Sequence, residues 1–161
     1  MTARFGIGFD AHRLAEGRRL VLGGVEIAHE RGLEGHSDAD VLVHAVIDAL
    51  LGAAGLGDIG LHFPDDDERW RDADSLDLLR RVSGLLDDGG LTVVHVDATV
   101  LAEAPKISPH REAMRAALAD ALGIEDGAVN VKATRGEGMG FVGRQEGIAA
   151  LAVATVEGAV V

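Results

Sequence analysis

Stretches with a two-residue apolar period alternate with stretches of helical period along the whole chain. This mixing limits the fold more than any other feature, because each kind of segment needs the other to cover its apolar side. Residues 4–10 put Phe5, Ile7 and Phe9 on one side with Gly6 and Gly8 between them, and read as a strand ending at Asp10. Residues 19–27 hold two short apolar runs around Gly23-Gly24, a hairpin signal. Ser37, with Asp40 three residues on, resembles a capping box, so Ser37 is the expected N-cap of a first helix. Val41, Leu42, Ala45, Val46, Ala49 and Leu50 form its apolar stripe, and Gly55 or Gly57 should end it. Residues 58–74 read as loop. A second helix is expected from Asp74-Ser75 to Gly89-Gly90, and a strand over 91–101. A third helix is expected over 109–122, with Pro109 in its first turn and Gly123 as its stop. Strands over 128–134 and 147–157 complete the series. The order β-β-β-α-α-β-α-β-β predicts an α+β protein. Its expected core is a mixed sheet of four-stranded type with helices on one face, plus a small β-hairpin. The 161 residues show no repeat and no linker, so a single domain over 1–161 is expected.

Composition narrows the function. The absence of cysteine excludes a disulfide scaffold, a thiolate zinc finger, an iron–sulfur protein and a cysteine nucleophile. Fifteen Lys+Arg against 27 Asp+Glu give a net charge of −12, which argues against broad binding of nucleic acid or anionic membrane. No apolar run approaches the ~20 residues of a membrane span. The opening Met-Thr-Ala-Arg-Phe-Gly-Ile-Gly reads as a strand rather than a leader, so a cytoplasmic protein is expected.

Asp10-Ala11-His12 is the first segment with chemistry. In an extended chain, residues i and i+2 point the same way, so a carboxylate and an imidazole converge on one point. That pair suits Zn²⁺ or Mn²⁺, but on its own an Asp-x-His is more often a solvated strand end. His44 lies on the helix row Asp40, His44, Asp48, beside the apolar stripe. It reads as a third ligand or as a half-buried histidine. Three protein ligands would leave a fourth position open, as in catalytic zinc sites. His36 and Ser37 precede the first helix, where an anion is favoured, though Ser37 also suits plain capping. In the loop that follows, Asp58 and Asp65 suit sugar-type hydroxyls, whereas Asp66 and Asp67 read as a solvated acidic turn. The segment from Ala102 to Ile107 leaves a strand and turns at Pro105, where its backbone can meet a base edge. The glycine-rich run from Lys132 to Arg144 lacks the Lys-Ser/Thr ending of a P-loop. Thr134 suits a phosphate contact there, and Glu137 a second cation.

Together these segments resemble the 2-C-methyl-D-erythritol 2,4-cyclodiphosphate synthase family of the non-mevalonate isoprenoid pathway. The resemblance rests on Gly8-Phe9-Asp10-Ala11-His12, Gly23-Gly24-Val25, His36-Ser37-Asp38-Ala39-Asp40 and His44 with Asp48-Ala49-Leu50-Leu51-Gly52. It continues through Gly57-Asp58-Ile59-Gly60, Phe63-Pro64-Asp65, Ala104-Pro105-Lys106, Pro109-His110, Val129-Asn130-Val131-Lys132-Ala133-Thr134 and Gly143-Arg144-Gln145-Glu146-Gly147-Ile148. These pieces stand in the family's order and cover nearly the whole chain.

The resemblance implies a phosphorus–oxygen lyase. It would convert 4-diphosphocytidyl-2-C-methyl-D-erythritol 2-phosphate to the 2,4-cyclodiphosphate and release CMP. It implies one zinc per subunit on Asp10, His12 and His44, with Asp10 and His12 also near the substrate. His36 and Ser37 would meet the 2-phosphate region, His36 as a catalytic group. Asp58, Gly60 and Asp65 would face the erythritol and ribose, in a substrate-contact set that includes Ile59, Phe63 and Asp67. Ala102, Ala104, Pro105, Lys106, Ile107 and Ser108 would line a cytidine pocket supplied by a neighbouring subunit. Ala133 and Thr134 would hold the diphosphate, with Glu137 acting through Mg²⁺ or Mn²⁺. The family is a homotrimer with sites between subunits; Phe141 and Arg144 fall near a central cavity suited to an isoprenoid diphosphate. Arg135 stands where the family commonly has a Thr assigned to transition-state support, and Gly136 where a polar residue is common. Arg135 is therefore a second expected catalytic group, or a solvated one. The length leaves no room for the cytidylyltransferase to which some relatives are fused. A zinc hydrolase and a non-catalytic binder of isoprenoid diphosphates are the rival classes.

Overall fold

The computed structural model describes residues 1–159; Val160 and Val161 lie outside the described residues, so the last two positions of the expected 1–161 span carry no structural statement. Its centre is a five-stranded mixed sheet in the order β4-β1-β7-β5-β6. Strand β7 (Gly147–Gly158) pairs antiparallel with β1 (Thr2–Glu16) on one side and β5 (Leu91–Leu101) on the other, and β6 (Val129–Thr134) pairs parallel to β5. The short β4 (Arg31–Leu33) extends the sheet at the far edge by pairing with Leu14–Glu16. The four-stranded expectation is corrected by this strand, three residues long and too short to show a period. The first strand does not stop at Asp10. Its ladder continues to Arg13 against β7 and then passes to β4, so Asp10 and His12 are ladder residues rather than a strand end.

The hairpin is present as β2 (Leu20–Leu22) and β3 (Val25–Ile27), turning at Gly23-Gly24, both at positive φ. Helices α1 (Val41–Ala54), α3 (Ser75–Asp88) and α4 (Arg111–Leu122) pack together and on the sheet. The expected loop over 58–74 contains a one-turn helix α2 (Ile59–His62) and a 3₁₀ turn over Glu68–Trp70. A second short helix, α5 (Gly140–Gly143), follows the glycine-rich run. Among the described residues no helix is long and apolar enough to cross a membrane.

One face of β1 explains how α1 reaches the site. A Cβ on Gly6 would overlap the backbone oxygen of Ala49, and one on Gly8 that of Ala45. The helix therefore rests directly on the strand backbone, which a side chain at either position would prevent. The large residues of the alternation, Phe5, Ile7 and Phe9, lie on the other face, 70%, 71% and 54% exposed. Val94, Leu151 and Val153 are also exposed. Asp10 and His12 follow Gly6 and Gly8 at the same two-residue spacing, so they share the face that α1 covers.

The start of α1 corrects a second expectation. Asp40, not Ser37, is the N-cap: its carboxylate accepts from Val43 N at 3.1 Å and from Gly23 N and Gly24 N at 2.9 and 2.7 Å. Ala39 is wholly buried at φ 57°, a left-handed turn that carries the chain from Ser37 into the helix. Since an ionisable side chain already occupies the helix end, it is not a free anion site for a phosphate near Ser37.

Candidate active site

His44 enters from the first turn of α1, Asp10 and His12 from β1. The three ligand atoms lie within 4.8 Å of one another. Asp10 Oδ2 is 2.9 Å from His12 Nε2 and 3.0 Å from His44 Nδ1, and the two nitrogens are 3.3 Å apart.

The neighbours fix which nitrogen carries each proton. His12 Nδ1 meets the carbonyl of Glu34 at 2.9 Å; a carbonyl only accepts, so Nδ1 donates and Nε2 keeps its lone pair. Ser75 Oγ donates to the Asp38 carboxylate and therefore accepts from His44 Nε2 at 2.9 Å. Ser37 Oγ lies 3.2 Å from the same nitrogen. His44 Nδ1 thus also keeps its lone pair. Three lone-pair donors converge with no donor among them, which is repulsive unless a proton or a cation sits between. Residues outside the ligand set that hold imidazole tautomers in this way are typical of metal centres. The donor set, two nitrogens and one carboxylate, fits zinc with one position left open.

Electrostatics agree with this arrangement. Burial pushes the Asp10 carboxyl up, but His12 and His44 outweigh it and bring its pKa down to about 2. Burial alone would lower His12; the Asp10 carboxylate raises it on balance. Gly35 leaves room for the His12 ring, since a Cβ there would come 3.2 Å from His12 Cε1 and 2.9 Å from Ala39 Cβ.

The triad opens into a cavity of about 420 Å³, whose lining also holds His36, Ser37, Ile59, Gly60, Phe63 and Asp65. Asp48 on α1 accepts from Ile59 N at 2.8 Å and so pins the 58–60 turn beside the triad. His36 Nε2 donates to Asp67 O at 3.0 Å. The wall opposite includes Trp70, edge-on to Phe63 with ring centroids 5.0 Å apart and flanked by Arg69 and Arg81.

Not every expected residue joins that cavity. Asp58 caps α2 through Leu61 N, and the Asp67 carboxylate is taken up by Arg69. Ala102, Pro105, Lys106, Ile107, Ser108, Ala133, Thr134 and Arg135 line a second cavity of about 540 Å³ at the ends of β5 and β6. Ala104, between Glu103 and Pro105, is not in that lining. Phe141 shares a third, smaller cavity with His12, and Arg144 stands 3.5 Å from Glu146. Glu137 lies between β6 and α5 at φ 52° and lines none of the three. Sequence reasoning missed Asp38 and Ser75 behind His44, and Gly35 and Trp70 in the wall. Asp38 lay inside a quoted motif, and Ser75 at an expected helix start, but no spacing rule joins them.

Fold and site together describe an α+β protein with a candidate metal site of one aspartate and two histidines at the mouth of a cavity. The YgbB family profile matches residues 3–157, and the chain belongs to that family. It is 60% identical over 156 residues to a 2-C-methyl-D-erythritol 2,4-cyclodiphosphate synthase of Salinibacter ruber, covering 97% of this chain and 99% of that one. It is 63% identical over 153 residues to the protein of the same name from Symbiobacterium thermophilum, covering 95% and 98%. Among solved structures, the Plasmodium falciparum IspF–CDP complex superposes with a TM-score of 0.84 at 31% identity, over 97% of this chain and 96% of that one.

Proposed function

We propose that this chain is a single-domain, cytoplasmic cyclodiphosphate synthase of isoprenoid biosynthesis that acts as a homotrimer. Its substrate would be 4-diphosphocytidyl-2-C-methyl-D-erythritol 2-phosphate. An oxygen of the 2-phosphate attacks the β-phosphorus, the bond from that phosphorus to the α–β bridging oxygen breaks, and CMP departs with the electron pair. The observation that carries this reading is the convergence of Asp10, His12 and His44 at one end of a cavity that also presents His36 and Ser37.

The attacking phosphate is already ionised, so no strong base is required. What the site must do is hold one anion against another in line. Asp10, His12 and His44 would hold zinc, and Glu137 a magnesium or manganese ion; bound there, these ions supply Lewis acidity to diphosphate oxygens. His36 and Ser37 position the 2-phosphate, with the His36 ring oriented by Asp67 O. Ile59, Gly60, Phe63 and Asp65 enclose the erythritol, and Asp58 and Asp67 brace the rim of that wall. Ala102, Ala104, Pro105, Lys106, Ile107 and Ser108 would take the cytidine, and Ala133, Thr134 and Arg135 the phosphates next to it.

Two features support the trimer. The 420 Å³ and 540 Å³ cavities share no lining residue, so one chain presents the metal end and the nucleotide end as separate half-sites. The exposed apolar sheet face offers a surface for two further copies. Phe141 and Arg144 would then border a cavity on the trimer axis that admits an isoprenoid diphosphate.

The test is incubation with the cytidyl substrate, with and without a chelator, following phosphorus NMR. CMP and a cyclic diphosphate should appear only with metal present. A linear phosphate product would point instead to a zinc hydrolase, and binding without turnover to a non-catalytic protein.

A further inference from the structure

The nucleotide cavity is unlike the rest of this acidic molecule. Lys106, Arg111 and Arg135 line it against a single carboxylate, Glu103, whereas the chain as a whole carries −12. Arg111 Nε is buried with no hydrogen-bond partner among the described residues. Such a lining selects anionic or carbonyl oxygens.

Glu103 and Arg135 both lie just beyond the paired ends of β5 and β6, two residues and one residue on. The two parallel strands are joined there by Ala102 N donating to Thr134 O at 3.0 Å. Glu103 uses both oxygens across that gap. Oε1 accepts from Arg135 Nη2 at 2.9 Å, and Oε2 accepts from Gly136 N at 2.9 Å. The carboxylate is only 10% exposed, while the guanidinium is 64% exposed. Among the described residues, Nη2 is the only guanidinium nitrogen of Arg135 that meets a protein acceptor, and it meets Glu103. Gly136 is packed against Gly143 so closely that a Cβ there would overlap it, so only glycine lets this backbone N–H approach Glu103. An ion pair whose cation is largely solvated adds little to stability, so this one is better explained by what it orients.

We infer that Glu103 is a positioning residue: it holds Arg135 over the cavity between the β5 and β6 ends, so that the remaining guanidinium donors meet the phosphate oxygens of a bound nucleotide. This rests on the nucleotide reading of that cavity and adds a residue to it. The hold is anchored at Gly136 N, so Arg135 arrives already oriented and loses less freedom on binding.

Calorimetric titration of CDP and of cytidine, in one magnesium-containing buffer, tests it on the wild type and on Glu103→Ala, Glu103→Gln, Arg135→Ala and the Glu103→Ala/Arg135→Ala double variant. CDP affinity should fall about tenfold in each alanine single variant, and the double variant should bind no more weakly than Arg135→Ala alone. Cytidine, which has no phosphate, should bind every variant equally. Equal losses for CDP and cytidine, or additive losses in the double variant, would overturn the inference. So would unchanged CDP affinity in Arg135→Ala. If Glu103→Ala does not fold, wild-type CDP affinity in Glu103→Gln, which keeps the shape without the charge, overturns it. A wild-type protein that binds cytidine nucleotides not at all removes the reading of the cavity itself, and the inference with it.

Discussion

His44 is the residue at which metal and fold can be separated. It is held by hydroxyls on one side and faces the candidate ligand cluster on the other, outside the apolar core, so its loss opens the cluster. His44→Ala is expected to abolish CMP release while circular dichroism stays native; near-normal turnover with confirmed low metal content would sink the zinc assignment. Ser75→Ala removes the nearer of the two hydroxyls that hold the His44 Nε2 proton and so keep Nδ1 unprotonated. Zinc affinity, measured by competition with a coloured chelator, should fall about 10–100-fold. The candidate triad was legible in the sequence because strand spacing brings Asp10 and His12 to one side and His44 lies on the shoulder of the first helix. Ser75 was not, because its effect depends on Asp38, 37 positions away. Tautomers are set by tertiary neighbours, which a linear pattern does not contain.

At the level of elements, the close approach of α1 to β1 makes a strict demand. Gly8→Ala places a methyl group against Ala45 O, and the helix has no flexible side chain there to give way. Urea unfolding should show a loss of about 3 kcal/mol or more, at the upper end of overpacking effects. Asp40 governs the start of the same helix. Burial, opposed by its three backbone donors and aided by nearby Asp38, pushes its pKa up to about 6 from 3.8. The folded state therefore binds more protons than the unfolded state between those values. This group's contribution to stability falls as pH rises through that window and levels off above it. Asp40→Asn should remove that slope, read from denaturation midpoints between pH 4 and 6.5. Apolar period predicted most elements to within a few residues, because it reports which side of a segment is covered. It did not tell which side of β1 the helix would take: the glycines, not the aromatics, face α1. It also put the cap at Ser37, since Ser-x-x-Asp satisfies a local rule that the burial of Asp40 overrides.

For the whole molecule, the exposed sheet face and the divided half-sites make the same prediction. Ile7 and Val153 are register partners on that face, both largely exposed. Light scattering should give a trimer mass for the wild type and a monomer for Ile7→Lys/Val153→Glu, with zinc content retained and turnover lost. A monomeric wild type with full turnover would refute the assembly. The alternation of Phe5, Ile7 and Phe9 was plain in the sequence, yet it looks the same whether an apolar face meets its own helix or another copy of the chain.

Trp70 is the only tryptophan in the sequence, and it stands in the wall of the cavity onto which Asp10, His12 and His44 open, with the guanidinium groups of Arg69 and Arg81 5.5 and 5.4 Å from its ring centroid. The protein therefore carries its own dye at the place where ligand arrives. Its entire indole emission comes from one address, so a spectral shift on adding substrate or product needs no label and no deconvolution. If the triad holds zinc as proposed, the ion's filled d shell adds no absorption of its own to that signal.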